Sequence, residues 1–208
     1  MGLVIRKYSY INDRVASVDG RAIPVPAGEE KFLTALYRAR RVDYPRFFKM
    51  DALSKLGFLA SELIFEGDAS RFTPRDHVAI LCFNRSSSLE SDAAYQATIR
   101  HGEEYFPSPS LFVYTLPNIV TAEIAIRNRL HGETAFYVLE RFDPRALVGR
   151  VGEAFQDAAT RAVLVAWVES FRDSREVFMM LVEKNDTIFD LPFSVESIVE
   201  LLNRGRNG

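Results

Sequence analysis

The sequence offers little of what most catalytic or exported proteins display: one cysteine, three histidines and no surplus of either charge among 208 residues. The lone Cys82 excludes an internal disulfide, and without clustered cysteines there is no thiolate zinc site. No Gly-rich phosphate loop occurs, and no His, Asp and Glu grouping has metal-ligand spacing, so neither a metal nor a cofactor is expected. With 26 Lys and Arg against 28 Asp and Glu, a nucleic-acid partner is not expected either. The short basic run Arg38, Arg40, Arg41 reads as a solvated helix end. The opening MGLVIRKYSYINDR is interrupted by Arg6 and Lys7, too early for a signal-peptide core or a membrane span. A cytoplasmic protein without membrane contact is the expectation.

A hydrophobic share of 48% suffices for a full core, and Pro and Gly are scattered instead of gathered into a linker. One domain over 1–208 is therefore expected. Leu3 to Ile11 alternates apolar and polar residues as a strand does, and Asn12 to Glu30 reads as loop. Helices are predicted from Glu29 to Ala39 and, closed by Gly67, from Met50 to Phe65, where Leu53, Leu56, Leu59, Ala60 and Leu63 recur at helical spacing. Ala93 to Arg100 starts another before Pro107 and Pro109, and Asn118 to Leu130 forms a further one, opened near Pro117 and closed by Gly132. Asp143-Pro144 is an N-cap and first-turn proline for a helix to Thr160, and a C-terminal helix covers 194–203. The apolar runs His77 to Phe83, Ala135 to Leu139 and Ala162 to Val168 read as strands buried on both faces, with Glu176 to Val182 a hairpin partner of the last. Strands alternating with helices make an α/β protein whose layered mixed sheet has about five strands flanked by helices.

Thr115 to Gly132 reads TLPNIVTAEIAIRNRLHG. Its Leu116-Pro117-Asn118, small-residue helix, Ile126-Arg127 and Gly132 resemble the β-ketoacyl synthases, where these features precede the nucleophile. Met50-Asp51, opening a helix upstream, is similar to that family's Met-Asp motif. The resemblance covers about residues 3 to 185 and implies one of the two similar halves of the thiolase-like fold, here a half-fold. It also implies that the second half, which supplies the family's catalytic histidines and lysine, is missing. His77, His101 and His131 match no family motif. The family's nucleophilic Cys corresponds to about Arg141, whose guanidinium stays protonated and cannot accept an acyl group. No catalytic residue is therefore assigned. In the family the strand leading to the nucleophile pairs with a two-fold mate, which makes Phe136, Tyr137, Val138 and Leu139 dimer-interface candidates.

Other side chains have plain readings. Cys82, between Leu81 and Phe83, is a packed core thiol, and Ser86-Ser87-Ser88 is a polar loop without a paired base. Asn118 caps a helix and Glu123 pairs with a buried neighbour. Phe106 to Tyr114 is either a packed connection or, by the resemblance, a segment near the dimer interface and acyl pocket.

The expected function is a non-catalytic ketosynthase-like subunit supporting a complete ketosynthase in fatty-acid, polyketide or aryl-polyene pigment synthesis. Its partners would be itself or a full-length ketosynthase, with acyl carrier protein as a further contact. Two alternatives stay open: a small acyl-binding protein or acyltransferase with a re-purposed site, and a structural or regulatory homodimer.

Overall fold

The computed structural model describes residues 2–100, 107–172, 174–185 and 191–207. The apolar runs become the middle of one mixed sheet. β4 (Val78–Asn84) is buried at every residue, and so is β6 (Ala162–Phe171) except at its last. β4 lies parallel to β6 and, on its other side, to β5 (Thr134–Val138). Beyond β6 the order continues through β7 (Ser174–Asn185) to β1 (Gly2–Asn12), both neighbours antiparallel to β7. The expected hairpin after β6 is therefore present, with Ala162 opposite Glu183 and Phe171 opposite Ser174.

The described sheet has seven strands, two more than the sequence suggested, because Asn12 to Glu30 is not all loop. β2 (Ala16–Val18) pairs with β1, and β3 (Arg21–Ala22) pairs with β2. Asp19 and Gly20 join them at φ 48° and 73°, the doubly positive geometry of a two-residue hairpin turn.

Helices cover both faces. On one lie α1 (Phe32–Ala39), α2 (Ala52–Ile64) and α5 (Ile119–Asn128), enclosing Leu36, Leu56, Leu59, Ile80, Ile124 and Leu164. On the other, α6 (Pro144–Ala154) and α7 (Val195–Asn207) cover Phe83, Leu147, Val165, Phe178 and Ile198. A short 3-10 turn, Pro45–Lys49, leads into α2, whose Asp51 carboxylate accepts the Ser54 amide at 2.8 Å. The small helices α3 (Leu89–Ala97) and α4 (Pro109–Val113) pack together where β4 ends.

Several helix ends differ from expectation. α1 starts three residues late, at Phe32, and α3 starts at Leu89 and ends at Ala97. α5 is closed by Arg129 in the left-handed region at φ 53°, not by Gly132. Gly132 serves a different need: a Cβ there would stand 2.4 Å from the Val78 carbonyl oxygen, so only glycine lets the chain pass. Asn118 occupies the N-cap position of α5 without a side-chain cap bond. Asp143 does cap α6, accepting the Arg145 amide at 2.9 Å, but α6 stops at Ala154 instead of Thr160. There Asp157 folds the chain into a turn by accepting the Ala159 amide. α7 runs past Asn203 to Asn207.

Candidate functional site

β5 forms one margin of the described sheet, hydrogen-bonded to β4 and, among the described residues, to no strand on its outer side. Its two faces are nonetheless covered. Phe136 packs into the core beneath α2 and α5, whereas Ala135, Tyr137 and Leu139 pack toward α6 and α7. Tyr137 stacks on Phe83 at 4.9 Å between ring centres, and the Arg150 guanidinium lies 5.4 Å above it. The two ends of the strand, Thr134 and Val138, are exposed, Val138 at 53%. Of the four interface candidates, Phe136, Tyr137 and Leu139 thus turn their side chains into the two cores, and Val138 leaves an apolar side chain exposed.

Past the strand, the Leu139 amide still donates to the Asn84 carbonyl at 2.8 Å, after which the chain bends through Glu140 and the exposed Arg141 into α6. The bend lies where β4, β5 and β6 point their carboxyl ends, the usual location of sites on such sheets. Arg141, at that bend, is exposed. Cys82, by contrast, is fully buried in β4, and burial pushes its thiol up to about 12.

The motif residues are distributed elsewhere. Met50 is buried and Asp51 caps α2 while accepting the Ser91 hydroxyl at 2.7 Å. Leu116 and Ile126 are more than half exposed, and Pro117 and Asn118 form the turn into α5. Arg127 reaches across to Glu62 on α2 at 2.8 Å and lies 5.1 Å over the Tyr44 ring and 4.9 Å over Phe72. Gly132 sits just before β5. Among the motif residues, Gly132 alone touches the β5 margin; Asp51 and Arg127 serve the helical layer.

Sequence reasoning missed Glu62. Only 6% exposed, it holds both Arg127 and Arg71, while burial draws the Arg71 guanidinium below its usual range against the pull of Glu62. A glutamate inside the otherwise uncharged run Leu59-Ala60-Ser61-Glu62-Leu63-Ile64 was the signal. Glu123 pairs as expected, with Arg46 at 3.0 Å and the Tyr114 hydroxyl at 3.2 Å; burial, then Glu123, push Tyr114 up to about 12. Ser86 donates to the buried Glu169 and Ser88 to the Thr115 carbonyl, so both serve the loop's architecture.

Exposed apolar side chains gather near the same end of the sheet. Leu89 on α3, Leu111, Phe112 and Val113 on α4, and Leu116 beyond it are all at least about a third exposed. From Pro107 onward the aromatic connection thus presents much of its apolar surface; Phe106 and His101 lie outside the described residues. His77 stands at the start of β4, and His131 faces Asp76 at 3.2 Å on the surface. Among the described residues no three His, Cys, Asp or Glu side chains could hold a metal ion, and no helix is long and apolar enough to cross a membrane.

This arrangement defines the class by fold: the chain has the thiolase-like fold of ketosynthases and chain length factors. It superposes on the ishigamide ketosynthase/chain length factor with a TM-score of 0.64 at 14% identity, covering 92% of this chain and 64% of that one. A ketosynthase in complex with its chain length factor from Xenorhabdus doucetiae gives 0.60 at 13% identity, covering all of this chain and 93% of the matched one. A β-ketoacyl synthase from Burkholderia phymatum gives 0.53 at 12% identity, covering 88% and 59%. The chain thus spans under two thirds of the first and third of these and nearly the whole of the second. No family model matches the sequence. No curated protein matches it either.

Proposed function

We propose that this chain is a non-catalytic ketosynthase-like subunit that joins a complete ketosynthase along β5. The observation carrying this reading is the open, aromatic β5 margin running directly into Arg141, where the resemblance expects a nucleophilic Cys. An unpaired strand of this kind is an association site unless it is blunted. The exposed apolar cluster on α3, α4 and Leu116 lies at the same end of the sheet and adds contact area for the same partner. The likeness in fold to a chain of a complex between a ketosynthase and its chain length factor from Xenorhabdus doucetiae supports a unit that works beside a ketosynthase. On this reading residues 1–208 act as one domain in the cytoplasm, Arg141 stands at the lost nucleophile position, and the partner supplies the chemistry of acyl condensation. Fatty-acid, polyketide or aryl-polyene synthesis is the setting, with carrier protein visiting the partner.

Co-expression with the ketosynthase encoded nearest to it tests the proposal. A stable complex whose products differ in length from those of the ketosynthase alone supports it. No complex together with unchanged products overturns it, and a stable assembly of this chain only, without affinity for ketosynthase, assigns the β5 edge to a homodimer.

A further inference from the structure

Between the start of α2, the loop after β4, and the helices α3 and α4 lies a cavity of about 240 Å³. Part of its wall is apolar: Met50, Leu53, Ala94 and Leu111. The rest is polar with a consistent bias. Ser88 donates its hydroxyl proton to the Thr115 carbonyl at 2.5 Å, and Ser91 donates to Asp51 at 2.7 Å. Tyr114 donates to Glu123 at 3.2 Å, and Ser170 donates to Glu90 at 2.8 Å. Each hydroxyl has a single proton, so these four oxygens have only lone pairs left to offer. Asp51 and Glu90 add carboxylate oxygens to the same wall. The positive end of α2 is already met by Asp51, which takes the Ser54 amide. Ser87 also lines the cavity, and Lys49 sits exposed at the rim.

We infer that this cavity binds a small uncharged molecule that donates hydrogen bonds from an amide or hydroxyl head and lays a short apolar tail on Met50, Leu53 and Leu111. Such a head fills the lone pairs that Ser88, Ser91 and Tyr114 leave open. Glu90 is already paired with Arg175 at 2.9 Å, but a carboxylate or phosphate would set its own acceptors against the Asp51 carboxylate and the lone pairs of Ser88, Ser91 and Tyr114, so the site favours an uncharged donor over an anion. The inference is independent of pairing along β5, since none of the cavity's lining residues belongs to that strand.

The test uses hexanamide and hexanoate, matched in length and opposite in hydrogen-bonding sense, with ligand-observed saturation-transfer NMR on the full chain at millimolar concentration. Hexanamide is expected to take up saturation and hexanoate not. Ala94→Phe, a change at an exposed lining position, blocks the site and removes the hexanamide signal with an unchanged melting midpoint. Tyr114→Phe deletes one acceptor and weakens binding roughly three- to tenfold. Equal signals from both probes, silence from both, or a hexanamide signal that survives Ala94→Phe each overturn the inference.

Discussion

The two margins of the sheet are built to opposite purposes. β3 ends it on one side with two residues, both exposed and one of them Arg21, on a hairpin that turns away after Gly20. β5 ends it on the other with five residues, none charged, with Phe136 packed into one core and Tyr137 into the other. Short and charged edges discourage further pairing, whereas long uncharged ones invite it. The described sheet thus ends in a short, charged strand at one margin and in a longer, uncharged one at the other, whose following bend carries Arg141.

The largest expected effect comes from removing the ring that stiffens the open edge. Phe136→Ala should cost about 2 kcal/mol, less than a fully buried Phe because the ring is only half covered, and should abolish the ketosynthase complex. Urea unfolding and co-purification measure the two parts. Val138→Lys separates them: placed at an exposed apolar position, it should weaken association by about tenfold or more, ~1.4 kcal/mol, while changing stability by no more than ~0.5 kcal/mol. If this variant binds as tightly as wild type, the edge is not the contact. At the opposite margin Gly20→Ala puts a Cβ 2.9 Å from the Tyr8 hydroxyl at φ 73°. A loss of about 1 kcal/mol in stability with unchanged complex formation would confirm that this edge is structural only. Arg141→Cys should produce no condensing activity in a radiolabelled chain-extension assay, because His77 and His131, the histidines among the described residues, stand before β4 and β5, at the opposite ends of those strands from the bend; measurable condensation would overturn the assignment of chemistry to the partner. The smallest effect is at Cys82, whose thiol at about 12 should resist iodoacetamide in the native protein and react only after denaturation, as intact mass would show.

The interior was legible because its signals are local. HVAILCF and AVLVAWV can hardly be anything but buried strands, and Asp143-Pro144 announces a helix by chemistry confined to adjacent residues. The β2–β3 hairpin was equally local, yet its Asp19-Gly20 signal was lost in a stretch whose strands are too short to show alternation. Glu62 was hidden for another reason: its partners Arg71 and Arg127 come from a loop and from α5, and nothing in one segment reveals a pairing made by two others. The same holds for the cavity beside Tyr114, which needs four separate segments to enclose it. Arg129 adopting the left-handed turn that Gly132 was expected to supply is a third case. The glycine was already required by the close passage against Val78, a constraint that only the folded sheet creates.

That passage has an effect on how such a chain can change over time. With Gly132 lying directly on the Val78 backbone, the start of β5 is anchored to the start of β4, and its offset is decided before any side chain of the strand is read. The residue at 141 stands outside that anchor, in the bend beyond the last pairing at Leu139. Replacement there leaves the strand in place, so such a chain could lose reactivity by point substitution and still present an unaltered face to whatever binds it.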